Sequence, residues 1–173
     1  TAPFILRRLK TDTAIISDLP DKAEHVIAVD MTPEQAALYK ALVDSTQAEL
    51  DERKGIARKG LVLATITRIK QVCNHPAHFL GDGSAVTDKG RHRSGKVEKL
   101  MELLEEAAAS DQRVLIFTQY KAFGDILKPY LSERLGEDVP FLHGGVGKSA
   151  RDAMVERFQP VSYTHLTLPT ICS

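Results

Sequence analysis

The stretch RVLIFT, residues 113–118, is a continuous apolar run with a polar residue at each end. Such runs mark strands buried on both faces, the pattern of a parallel sheet. Before it, residues 97–109 place Val97, Leu100, Met101 and Leu104 on one helical face, with Glu98, Glu102, Glu105 and Glu106 opposite. After it, residues 121–135 are amphipathic through Phe123, Ile126, Leu127 and Leu131, with Pro129 expected to kink or break the helix. Residues 139–142 read as a second short buried strand. Residues 149–158 read as a helix capped by Ser149, with Met154, Val155 and Phe158 inward. The order helix, strand, helix, strand, helix implies an α/β layer with right-handed crossovers and a parallel sheet.

Upstream, HVIAVDM (25–31) is β-rich and reads as a strand. Thr32-Pro33-Glu34-Gln35 then opens a helix: Thr32 at the cap, Pro33 at the first position, Gln35 closing a capping box. Leu38, Leu42 and Val43 are its expected buried stripe, with an end near Lys54. Gly55 and Gly60 bracket a basic break. Residues 61–72 carry Leu61, Ala64, Ile66, Ile69 and Val72 at helical spacing and predict a second helix, ended by Asn74-His75-Pro76. The polar, Gly-containing segment 81–93 reads as a loop.

The chain has 173 residues, 23 Lys+Arg, 23 Asp+Glu and 43% hydrophobic residues. That is enough for one domain with a core and argues against disorder of the whole chain. The longest uncharged stretch, residues 160–173, is too short and too rich in Thr and Pro to span a membrane. The N-terminal bases precede no signal-peptide pattern. Two cysteines form no disulfide framework, so a reducing, cytoplasmic location is expected. The zero net charge hides an asymmetry. Residues 53–80 hold six bases and no acid, whereas residues 98–138 hold nine acids and five bases. Such asymmetry fits either a polyanion partner or a solvated helix face.

Two motifs are decoys. HGGVGKS (143–149) has Leu142 where a phosphate loop needs its first Gly, so its glycines suit a tight turn serving a backbone contact. Cys73, His75 and His78 crowd into six residues with no second cluster, which is poor zinc spacing and reads as a structural turn. No catalytic set and no metal site is legible.

PFILRRLKTD (3–12), LPDK (19–22), QVCNHP (71–76), SGKVEKLMELL (94–104), RVLIFTQ (113–119) and FLHGGVGKSARDAMVERF (141–158) occur in this order. Together they resemble Swi/Snf-type ATP-dependent DNA translocases, helicase-like ATPases built from two RecA-like lobes. The likeness covers the start of the second lobe, and the short spacing between blocks looks bacterial. It implies an incomplete α/β RecA-like lobe: residues 1–22 an interlobe passage, 23–93 a strand with a helical protrusion and loop, 94–159 the truncated core. Residues 160–173 resemble adapter read-through and are expected to be foreign to the fold. The resemblance further implies double-stranded DNA, gripped by its backbone, and a first lobe as partners, with no membrane. ATP and Mg²⁺ belong to the intact parent, whose phosphate loop, acidic motif and arginine finger are not in this stretch. The stretch alone is therefore expected to be inactive and to take no cofactor.

The resemblance puts Gln119, His143, Gly144 and Arg151 at the DNA backbone, and the loops at the carboxyl ends of the two strands, 118–120 and 143–149, add Thr118, Gly145 and Lys148 to the expected DNA track. For Arg151 a surface salt bridge is an equal alternative. Phe4, Leu6, Arg7 and Arg8 are interlobe contacts, and Arg58, Lys59, Arg68 and Lys70 form the basic protrusion. Two other readings stand beside this one: a free-standing α/β nucleic-acid-binding or scaffold module without ATPase activity, and a small nucleotide kinase, which would need ATP binding by this chain alone. If the protrusion touches DNA, affinity of the intact protein falls steeply with salt, and reversing the charges of Arg58, Lys59, Arg68 and Lys70 removes that dependence. A salt-independent interaction measured by anisotropy titration would sink the idea.

Overall fold

The computed structural model describes residues 23–158, so the expectations for the interlobe passage (Phe4, Leu6, Arg7, Arg8) and for residues 159–173 lie outside the described residues. Six helices and one small hairpin follow in chain order. They are α1 (Pro33–Glu52), α2 (Gly55–Asn74), α3 (Pro76–Leu80), β1 (Thr87–Asp88), β2 (Arg91–His92), α4 (Gly95–Ala109), α5 (Lys121–Leu135) and α6 (Lys148–Phe158).

The capping box at Thr32 forms as expected. The Gln35 N–H donates to the Thr32 hydroxyl at 3.2 Å, and the Thr32 N–H donates to Gln35 Oε1 at 3.2 Å. α1 and α2 pair along Leu42 and Val72, with the Thr46 and Thr65 hydroxyls 3.3 Å apart between them. Val43 is exposed, contrary to expectation, because its face of α1 points away from α2, and the buried positions are instead Gln35, Leu42 and Thr46. α2 also runs through Gly60 without a break. One interior Gly weakens a helix by about 1 kcal/mol, which packing along the rest of a 20-residue helix offsets.

A second core joins Val86, Val97, Leu100, Met101, Leu104, Phe123, Leu127 and Leu131. Apart from Val86, from the segment read as a loop, these are the apolar faces expected of α4 and α5. Pro129 sits inside α5 without ending it, since both it and Asp125, whose carbonyl loses its bond, are exposed.

The expected parallel sheet is not formed among the described residues. Segments 25–31, 113–118 and 139–142 have no strand ladder, and the single sheet is antiparallel β1–β2, inside the segment read as a loop. The physical reason is that an apolar run fixes burial, whereas a ladder needs a neighbouring backbone in register. Val114, Ile116 and Val139 do pack against the second core. α6 begins at Lys148, so Ser149 lies within it rather than capping it. It has no buried residue: Val155 is exposed, and Met154 and Phe158 are half-buried.

The two cores meet at a junction centred on one side chain. The Gln35 carboxamide, 1% exposed, donates to the carbonyls of Val72 (2.8 Å) and Cys73 (3.2 Å). Its oxygen accepts from the N–H of Thr32 and of Gly95, each at 3.2 Å. Gly95 is required there, because a Cβ would sit 2.0 Å from the Asp30 carbonyl oxygen. Gln35→Leu keeps the volume but orphans two carbonyls and two N–H groups. It should destabilise the chain by about 2 to 3 kcal/mol in urea unfolding, within the range for unsatisfied buried polar groups.

Candidate nucleic-acid interface

The end of α2 turns sharply at His75. Its Nδ1 accepts from the Ala77 N–H at 3.0 Å, capping α3, so Nε2 carries the hydrogen and donates to the Val86 carbonyl at 3.0 Å. Both nitrogens are thus used internally. His78 packs against the rings of Tyr120 (centroids 5.0 Å apart) and Phe123 (5.6 Å), and neither nitrogen has a partner among the described residues. Burial pushes the pKa of both imidazoles down, with the nearby His75 charge adding to the effect at His78. Cys73, His75 and His78 therefore act as a structural turn, and no cluster able to hold a metal occurs among the described residues.

This packing brings the basic helix to the end of the 113–118 run. Lys70 Nζ donates to Gln119 Oε1 at 3.4 Å. Thr118 Oγ1 accepts from the Tyr120 N–H at 3.3 Å, just before α5 begins. The Arg68 guanidinium lies 5.0 Å above the Phe79 ring. Thr118, Gln119 and Lys70, expected separately, thus form one neighbourhood, while Arg68 lies over Phe79. Arg58 and Lys59 are exposed toward the start of α2, away from it in sequence.

The 143–147 turn reaches the same end of α5 by another route. Gly124, in the first turn of α5, lies so close to Phe141 that a Cβ would sit 2.2 Å from the ring. His143 folds the turn by accepting the Gly145 N–H on Nδ1 at 3.1 Å, while its carbonyl accepts the Val146 N–H at 3.0 Å. Gly144 and Gly145 are exposed, as is Lys148. Arg151 makes no salt bridge among the described residues; it donates to the Val146 carbonyl at 3.3 Å. The turn is held by its own histidine and builds no cradle for a triphosphate.

Asn74 and Lys96 lie beside Thr118, a grouping the sequence does not announce. Lys96 Nζ donates to Asn74 Oδ1 at 3.3 Å, and Ser94, the cap of α4, donates to the Asn74 carbonyl at 2.6 Å. The available signal was a lysine in the first turn of a Ser-capped helix, where the helix dipole disfavours a cation.

The SNF2-related domain matches residues 1–78, and the helicase conserved C-terminal domain matches residues 95–169. YwqA of Bacillus subtilis, assigned as an ATP-dependent helicase/translocase, is 40% identical over 96% of this chain. The ISWI chromatin-remodeling complex ATPase CHR17 of Arabidopsis thaliana is 36% identical over 90% of it. The chain spans 18% and 14% of those relatives. The SWI2/SNF2 ATPase core of Sulfolobus solfataricus in complex with dsDNA superposes with a TM-score of 0.73 and 40% identity. It covers 98% of this chain and 35% of that one. The C-terminal domain of the Sulfolobus ATPase gives 0.69 and 38%, over 77% of this chain and 56% of that one.

The two histidines set the acid response. Their pKa values lie below the ordinary 6.5 in the folded chain, so the unfolded chain takes up protons first as pH falls. Stability should be level above about pH 6.5 and decline below it. Glu34, held below its ordinary carboxylate value by its hydrogen bonds to Arg93, adds a further loss only at more acid pH. His78→Phe should flatten the decline between about pH 6.5 and 5 in urea midpoints, and an unchanged profile would refute the assignment.

Proposed function

Because the chain belongs to the SNF2-related, helicase-type ATPases, we propose that it supplies part of the second RecA-like lobe's grip on double-stranded DNA. SNF2-type ATPases use ATP and Mg²⁺. In this proposal, the hydrolytic groups reside elsewhere in the intact protein and residues 23–158 hold nucleic acid. On this reading, residues 113–118 and 139–142 are strands of a parallel sheet completed in the whole lobe, which this stretch represents only in part. A first lobe completes the enzyme in the intact protein, and the stretch alone does not hydrolyse ATP. Among the described residues no helix is long and apolar enough to cross a membrane.

One observation carries the reading: the 3.4 Å bond from Lys70 to Gln119, which joins the basic helix to the loop after the 113–118 run. Loops at the carboxyl ends of such runs are where α/β layers place ligands. A hydroxyl (Thr118), an amide (Gln119) and two cations (Arg68, Lys70) are donors suited to phosphate oxygens, which carry no sequence information. The exposed turn at Gly144 and Gly145, with Lys148 and Arg151 behind it, extends that surface from the same end of α5. The Sulfolobus core solved in complex with dsDNA supports the choice of duplex.

Lys70→Glu should weaken duplex binding by about tenfold, equally for unrelated sequences, and lower the slope of log affinity against log salt by about one. Anisotropy titrations on two unrelated duplexes check both. A loss confined to one duplex, or an unchanged slope, would count against backbone grip.

A further inference from the structure

The outer face of α2 is built like one half of a helix pair. Thr65 and Val72 are buried, and the Thr65 hydroxyl meets that of Thr46 on α1. At about 100° per residue, the side turned away from them carries Ile56, Lys59, Leu63, Ile66 and Lys70. Their spacing is 3, 4, 3 and 4 residues, the repeat of a coiled-coil seam. Ile56 is 90% exposed, Leu63 68% and Ile66 46%, so three large apolar side chains stand in solvent on one helix face. A contiguous apolar face rimmed by charge marks an interaction surface.

Gly60 adds a second, independent feature. It lies beside the seam, one turn after Ile56 and three residues before Leu63. A Cβ there would meet nothing within 4 Å, so the described residues give no packing reason for a glycine that weakens the helix. What it offers is a notch in which a partner backbone can approach α2 closely.

Charge selects the partner. Residues 53–80 hold six bases and no acid. Arg58 and Lys59 are exposed and make no ion pair among the described residues. Within the chain, α4 is acidic on its outer face, but its apolar side chains Val97, Leu100, Met101 and Leu104 are spent in the second core. A second copy of α2 would bring more cations to the seam and no acid. A phosphate backbone would satisfy Lys59 and leave Ile56, Leu63 and Ile66 in water.

We propose that residues 56–66 of α2 dock an acidic amphipathic helix of a separate protein. Its apolar stripe packs on Ile56, Leu63 and Ile66, with its backbone close to Gly60, and its flanking carboxylates pair with Lys59 and Arg58. Lys70, at the next seam position, is held by Gln119, so the docking face and the DNA surface proposed above adjoin on one helix. Docking needs none of the DNA contacts.

The test uses the full chain and a labelled synthetic helix of about 20 residues, with leucines at seam spacing and glutamates on both flanks. A second peptide carries lysine in place of each glutamate. Anisotropy titration should show saturable binding of the acidic peptide, weakened by salt, and none of the basic one. Leu63→Glu should weaken the acidic peptide about tenfold or more, and Lys59→Glu should weaken it and admit the basic peptide. Both positions are exposed, so the thermal midpoint should barely move. Gly60→Gln, which fills the notch with a better helix former, should raise the thermal midpoint and still weaken the peptide. No saturable binding of the acidic peptide, or binding indifferent to Leu63→Glu, overturns the proposal. It is also overturned by a dimer in sedimentation that Leu63→Glu dissolves, which makes the occupant a second copy. Loss of duplex DNA binding as large as the loss of peptide in Leu63→Ser would make it nucleic acid. If the 173-residue chain binds the peptide and the intact parent protein does not, the parent covers the face itself and a separate partner is excluded.

Discussion

The Gln35 carboxamide ties together three places that the chain separates by 37 and 60 residues. It holds the start of its own helix, the last turn of α2 and the first amide of α4. Each bond is ordinary. What matters is that all of them belong to one planar group with no freedom left, so the angle between the α1–α2 pair and α4 is set by its geometry. Around it the contacts tighten further: Ser94 caps α4 and bonds the Asn74 carbonyl, the Thr32 hydroxyl donates to the Arg93 carbonyl at 2.9 Å, and Arg93 chelates Glu34. Asn74 and Lys96 meet because of this junction.

The same economy of means places the loops. α3 is only five residues long, yet His78 on it packs between Tyr120 and Phe123 and so docks the end of α2 against the start of α5. Gly124 lets Phe141 close onto that same first turn. Two connections distant in sequence, 118–120 and 143–147, are thereby gathered at one end of one helix. The aromatic rings provide the adhesion and the glycine provides the room, while the donors that could meet a phosphate stay at the rim.

Helices were the most legible part of the sequence, since their signals are local. The capping box at Thr32, the 3.6-residue stripe of α4 and the apolar face of α5 each need only neighbours within a turn or two. Legibility failed where the deciding partner is remote. RVLIFT announced burial on both faces, but Val114 and Ile116 are only half-buried and Phe117 is exposed, because an apolar run contains no information about which backbone lies beside it. Val43 and Val155 were read inward by type, whereas the packing partner lies on the other face of α1 and no buried face exists on α6. Gln119 was placed by family likeness and Thr118 by its position after the apolar run. Asn74 and Lys96 were quoted within their blocks without a role, because an unsatisfied amide can be recognised only once its surroundings are known.

By itself the sequence determined the caps, the helix faces, the uneven charge and the family order of its blocks, all of which are properties of short windows. Only the tertiary structure decided that Gln35 bridges two cores, that Lys70 reaches Gln119, and that Lys96 bonds the Asn74 carboxamide, whose Nδ2 has no partner among the described residues. The physical reason is range. Propensity and periodicity act over a few residues, but hydrogen-bond satisfaction and desolvation are settled by whatever the fold brings within about 3 to 4 Å.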